Sequence, residues 1–144
     1  GVFPNLTVRE NLWAATGTGA RLADLEEAAY SRFPILGERR HQLAGSLSGG
    51  QQQMLALSRA LGTDPAILLL DELSIGLAPM IVTQMYDTVA QLVAEGLSVL
   101  VAEQFARVVL PIADTAALML HGRVAATGRP GDIEDQLSSS YLGG

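Results

Sequence analysis

Apolar positions along the chain fall into two kinds of pattern. Short continuous runs occur at Ala66–Leu70 and Leu97–Ala102, the second interrupted by Ser98. Runs of this length, rich in branched side chains, predict strands covered on both faces. Stripes at spacings of three and four lie elsewhere. Met54, Leu57, Ser58 and Leu61 form one, and Val82, Met85, Tyr86, Val89 and Val93 form another. Each predicts a helix with one apolar face.

Punctuating residues place the ends of these elements. Thr7-Val8-Arg9-Glu10 has the form of a capping box and predicts a helix from there to about Thr16. Asp24 to Phe33 reads as a second helix, stopped by Pro34. Residues 38–47 read as mostly loop. Ser48-Gly49-Gly50-Gln51 is a second capping box, opening a helix that ends at Gly62 and Pro65. Pro79 suits the first turn of the next helix, and Gly96 suits its end. Gln104–Leu110 reads as a short helix broken at Pro111. His121-Gly122 separates two strand-like stretches, Thr115–Leu120 and Arg123–Thr127, as in a hairpin. A last helix covers about Gly131–Leu137. Helices alternating with short apolar strands predict an α/β layered domain with a mainly parallel sheet.

Composition narrows the function classes. Of the 144 residues, 49% are apolar, enough for a real core. Cysteine is absent, which excludes a disulfide scaffold and any thiol chemistry. The net charge of −6, with no clustered cations, argues against nucleic acid as a partner. All nine basic residues are arginine, so no reaction that needs a lysine can be done by this chain alone. No apolar run approaches the length of a membrane span. The start at Gly1-Val2-Phe3-Pro4, without Met, reads as a cut inside a longer protein.

Two segments carry chemistry. Ser48-Gly49-Gly50 stands directly before a helix, where glycines let backbone amides approach an anion and the helix end adds partial positive charge. The bland reading is an ordinary capped helix after a loop. Asp71-Glu72 ends the first apolar run, at the strand end where open α/β sheets place ligands. An aspartate there can hold Mg²⁺, and a glutamate can orient and deprotonate water. The bland reading is a solvated strand end.

The order of these segments resembles the ATP-binding cassette (ABC) family. Leu47–Gln51 matches its signature motif, and Leu68-Leu69-Leu70-Asp71-Glu72 matches its Walker B motif. Phe3–Val8 with Glu10-Asn11-Leu12 is similar to the family's lead-in to its helical subdomain. Ser74–Pro79 sits at the D-loop, and Val101-Ala102-Glu103-Gln104 at the switch. Tyr141-Leu142-Gly143-Gly144 is similar to a native C-terminus. Ile75–Pro79, the Glu-Gln pair and the Tyr-Leu-Gly ending resemble the ATPase subunits of branched-chain amino-acid importers, with urea and amide importers sharing much of the pattern.

The resemblance implies a partial P-loop NTPase domain of ABC ATPase type. Residues 1–47 would form part of the helical subdomain, and 48–144 the signature helix and the C-terminal part of the catalytic α/β subdomain. It implies ATP and Mg²⁺ as cofactors. It also implies a head-to-tail dimer with a second ABC ATPase subunit, membrane permease subunits, an indirectly linked solute-binding protein, and a place on the cytoplasmic face of the membrane. Ser48, Gly49, Gly50 and Gln51 would meet nucleotide held by the dimer partner. For nucleotide bound by the same subunit, Asp71 would hold the metal, Glu72 would act as general base, and Gln104 would contact the γ-phosphate.

Departures from the family pattern qualify these roles. Gln104 replaces the usual switch histidine and cannot take a proton near neutral pH, which leaves Glu72 as the base. Ala78 replaces the usual D-loop aspartate. Leu73 replaces a proline after Asp-Glu, which would leave that turn less rigid. The P-loop needs a lysine, and with none the chain is expected not to hydrolyse ATP alone. A non-catalytic interaction module is the competing reading, and a soluble DNA-repair or translation ATPase ranks below both. Trp13 is expected to be partly buried packing rather than a docking residue. Residues 38–41 are expected to be a solvated stretch, and His121 a turn residue. Strand faces left uncovered by a missing part would make the chain prone to aggregate.

Overall fold

A computed structural model describes residues 1–142, with the side chains of Thr18 and residues 138–142 left aside. The chain divides into two compact units, residues 1–102 and residues 103–144.

In the first unit, α1 (Val8–Trp13) is opened by Thr7. The Thr7 hydroxyl accepts from the Glu10 amide at 3.2 Å, and the Thr7 amide donates to Glu10 Oε2 at 2.8 Å. The Thr7 amide and the Thr7 hydroxyl, which also donates to Glu10 Oε2 at 2.8 Å, hold the Glu10 carboxyl below its usual pKa, because both bonds favour the charged form. The helix ends earlier than the capping pattern suggests. Thr16 Oγ1 donates to the Trp13 carbonyl at 2.7 Å, and the chain passes into a 3₁₀ turn over Thr16–Thr18. A hydroxyl that bonds the backbone competes with helix continuation. Val8, Asn11 and Leu12 are buried. Trp13 falls one position past that stripe and is 62% exposed, so it is not the packing residue expected.

Asn11 fastens the segment before the helix. Its Oδ1 accepts from the Phe3 amide at 2.8 Å, and its Nδ2 donates to the carbonyls of Phe3 and Thr7 at 3.0 Å. The same segment pairs with residues 42–45: Val8 N donates to Gln42 O, Ala44 N to Leu6 O, and Gly45 N to Pro4 O. Arg59, from further along the chain, stacks its guanidinium 4.5 Å from the centre of the Phe3 ring.

Helix α2 (Leu22–Arg32) ends at Phe33, and α3 (Pro34–Glu38) begins at once. Pro34 thus opens a helix as well as closing one, since a proline at the first position loses no intrahelical bond. Residues 38–47, expected as loop, hold the end of α3 and a 3₁₀ turn at Ala44–Ser46. Helix α4 (Gly49–Leu61) buries Met54, Leu55, Leu57 and Ser58. Leu12, Phe33, Leu36 and Leu55 have no measurable exposure, and each such burial contributes about 1.5–3 kcal/mol.

Strands β1 (Ile67–Asp71) and β2 (Ser98–Ala102) pair in parallel, in register from Ile67↔Ser98 to Asp71↔Ala102. Between them runs α5 (Pro79–Ala94), which buries Val82, Met85, Tyr86, Val89 and Leu92 and packs against β2. The strands were expected to be covered on both faces, and here they are covered on one. Leu68 is 5% exposed while its neighbour Leu69 is 67% exposed, and Ile67 and Leu100 are exposed with it. Side chains alternate across a strand, so a single covering layer buries every second residue.

In the second unit, α6 (Ala106–Val109) passes into a 3₁₀ turn at Leu110–Ile112, where Pro111 sits. Strands β3 (Ala116–Leu120) and β4 (Arg123–Gly128) form an antiparallel hairpin. His121 (φ 49°) and Gly122 (φ 76°) both take the left-handed conformation that two-residue hairpin turns need. Helix α7 (Pro130–Leu142) packs on the hairpin, with Ile133 buried. Of the expected Tyr141–Gly144 ending, only the backbone of 141–142 lies within the described residues.

Candidate nucleotide-facing site

The N-terminus of α4 is built by a reciprocal cap. Ser48 Oγ accepts from the Gln51 amide at 3.3 Å, and the Ser48 amide donates to Gln51 Oε1 at 3.1 Å. The Gly49 and Gly50 amides, at the first two helical positions, have no acceptor within the helix. Ser48 and Gly49 are exposed, whereas Gly50 is buried. The cap therefore presents one hydroxyl and two backbone donors at the positive end of a helix, which suits an anion. A recess of about 310 Å³ beside it is lined by Ser48, Gln51, Gln84, Phe33, Met54 and Ile81, among others.

Asp71 and Glu72 stand at the C-terminal end of β1, both exposed. Glu72 takes the left-handed conformation (φ 49°), uncommon for a residue with a side chain. Its amide donates to the Ala102 carbonyl at 2.8 Å, which extends the parallel ladder one residue past the strand. Its carbonyl accepts from the Ile75 amide at 3.2 Å, and the chain turns there. Such a conformation costs about 1–3 kcal/mol, held here by bonds on both sides, and turns the glutamate out of the strand's alternation. Leu73 and Ser74 are buried and anchor the turn. Among the described residues no group of three or more acidic or His side chains could hold a metal ion by itself. The single carboxylate of Asp71 fits Mg²⁺ of the kind bound mainly through substrate phosphates, which takes one or two carboxylates.

The start of α4 meets the residues that flank the start of α5 within the first unit. A side-chain carbon at Gly49 would stand 3.7 Å from Leu77 Cδ2, and one at Gly50 only 2.7 Å from Ile81 Cγ2. Leu77 lies in the segment Ser74–Pro79 that the sequence singled out, whereas Ile81, outside the apolar stripe of α5, did not stand out. Ala78, the helix cap of α5, offers no side-chain bond. Gln104 is exposed and belongs to the second unit.

The parallel sheet, the helix that crosses between its strands, and the capped glycine start define an α/β domain of P-loop NTPase type. The chain belongs to the ABC transporter family, whose sequence model matches residues 1–74. It is 43% identical to the high-affinity branched-chain amino acid transport ATP-binding protein BraG of Pseudomonas aeruginosa, over 99% of this chain and 63% of that protein. It is 38% identical to the probable branched-chain amino acid transport ATP-binding protein LivF of Archaeoglobus fulgidus, over 92% of this chain and 57% of that one. Its fold superposes on a solved ATP-binding cassette of an ABC transporter with a TM-score of 0.82 at 26% identity, covering 95% of this chain and 63% of the other. The chain thus spans less than two thirds of the relatives it matches. Among the described residues no helix is long and apolar enough to cross a membrane.

Proposed function

We propose that this chain is the signature- and carboxylate-bearing part of an ATPase subunit that drives an ABC importer of branched-chain amino acids. In this reading residues 1–47 belong to the helical subdomain and 48–144 to the signature helix and catalytic subdomain. The observation that carries the reading is the Asp71-Glu72 pair at a parallel strand end, in one unit with a capped Ser48-Gly49-Gly50 helix start. The names of the two relatives support the solute class.

Each residue then has a task. Ser48, Gly49 and Gly50 donate hydrogen bonds to the γ-phosphate of ATP held by a second ATPase subunit, and Gln51 holds their geometry through the cap. For the other ATP, the one bound by this chain's own subunit, Asp71 would hold Mg²⁺, which when bound screens the phosphate charge. There Glu72 takes a proton from the attacking water, and Gln104 hydrogen-bonds the γ-phosphate without titrating. The phosphate-gripping lysine loop lies outside these 144 residues, which contain no lysine. By itself the chain is therefore inactive toward ATP. Its partners are the second ATPase subunit and the membrane permease subunits, with a solute-binding protein beyond them, at the cytoplasmic face of the membrane.

The test is Glu72→Gln in the complete cassette. A lost general base lowers turnover about 10²–10⁴-fold, and the variant should accumulate as a nucleotide-bound dimer on size-exclusion chromatography. Turnover equal to the wild type would remove Glu72 from the role of base.

A further inference from the structure

Gly50 is buried although its neighbours Ser48 and Gly49 are exposed. A Cβ at this position would lie 2.7 Å from Ile81 Cγ2, and 3.6 Å from both Ile81 Cβ and Cγ1. The first distance is a clash and the others are ordinary contacts. The methyl cannot swing aside. It hangs on a branched carbon, and isoleucine in a helix keeps one strongly preferred χ1. Ile81 is itself fixed, in the first turn of α5, by its amide bond to the Ala78 carbonyl at 2.9 Å. One residue earlier, Gly49 faces Leu77 at ordinary contact distance. The start of α4 thus rests on two side chains that bracket the start of α5.

We propose that Ile81 is a positioning residue for the signature. Through the bare face of Gly50 it fixes where the Gly49 and Gly50 amides stand relative to the turn that follows Asp71 and Glu72. Glycine is required at position 50 by a helix–helix contact within one chain, and not only by an anion brought by a partner. The activity readout rests on the proposed ATPase function. The contact itself does not.

The experiment compares five forms of the complete cassette: wild type, Gly50→Ala, Ile81→Ala, and Gly50→Ala combined with Ile81→Ala or with Ile81→Val. Valine keeps the clashing methyl, whereas alanine leaves only the carbon at 3.6 Å. Gly50→Ala should lower ATP turnover about tenfold or more, since small misplacements of binding groups are costly. It should also lower the melting temperature by about 3 °C or more, as overpacking does. Ile81→Ala should recover most of both losses, and Ile81→Val should recover neither. The proposal is overturned if Ile81→Ala gives no recovery, or if Ile81→Val recovers as much. It is also overturned if melting recovers while turnover stays low in a cassette whose wild type is active, because the contact would then only stabilise the fold. A wild-type cassette without ATPase activity would defeat the functional reading instead, and the melting comparison would still decide whether Ile81 is what requires Gly50.

Discussion

The helical part of the first unit and its two-stranded sheet differ in how far each is closed. Around α1 to α4, Val8, Leu12, Phe33, Leu36 and Leu55 have no exposure, and Asn11 among them has both its amide oxygen and its amide nitrogen hydrogen-bonded. The sheet is covered on one face and leaves Ile67, Leu69 and Leu100 in the open on the other. Both regions carry strongly apolar sequence. What separates them is that the helices close on one another within these residues, whereas a parallel strand needs a layer on each side. The candidate site divides in the same way. Ser48–Gln51 stand on the closed part, and Asp71 and Glu72 stand at the end of the half-covered sheet.

Mutations at matched apolar positions should expose this difference. Phe33→Ala should destabilise the chain by about 3–5 kcal/mol, as emptying a filled core site does. Leu69→Ala, a deletion of similar chemistry on the open face, should stay within about 0.5 kcal/mol. Urea melts of the two variants measure both, and equal losses would erase the comparison. Leu69→Thr should also raise the soluble yield, because it shrinks an exposed apolar patch beside an unpaired strand edge. Sedimentation of lysates checks that.

Smaller effects sharpen the same picture at the helix ends. Thr7→Ala removes a cap in the closed part and should cost about 1 kcal/mol. Ala78→Asp supplies a cap that α5 lacks and should return a similar amount, read as a rise in melting temperature. The smallest signal is in pH. Glu10 has its carboxyl pKa lowered by the Thr7 bonds from 4.5, so its contribution is full above that value and is lost as pH falls through the folded-state pKa. At the alkaline end, burial and the bond to Glu26 raise the Tyr30 hydroxyl above its ordinary 10.0. That contribution is full below pH 10.0 and is lost as pH rises beyond it. Glu10→Gln and Tyr30→Phe should each flatten one limb of a stability–pH curve.

Local chemistry was legible where one short segment decides the outcome. Both capping boxes form, at Thr7–Glu10 and Ser48–Gln51. Pro79 opens α5, and His121-Gly122 turns the hairpin. Features set by distant residues were not legible. The pattern of Ala66–Leu70 cannot say whether its second face is covered within the chain. The start of α3 at Pro34 depends on Phe33 and Leu36 finding the same core. The exposure of Trp13 follows from where the stripe of α1 happens to face. At the candidate site, the Ser-Gly-Gly and Asp-Glu segments stand out by composition. The left-handed backbone of Glu72 and the seat of Gly50 on Ile81 do not, because both depend on contacts made only after folding.

On the proposed reading the chain carries the signature and the carboxylates but not the phosphate grip. Isothermal calorimetry of MgATP against the soluble fraction of the 144-residue chain should then show no heat of binding beyond dilution, because no lysine loop is present to hold the β- and γ-phosphates. A saturable isotherm at micromolar affinity would contradict it.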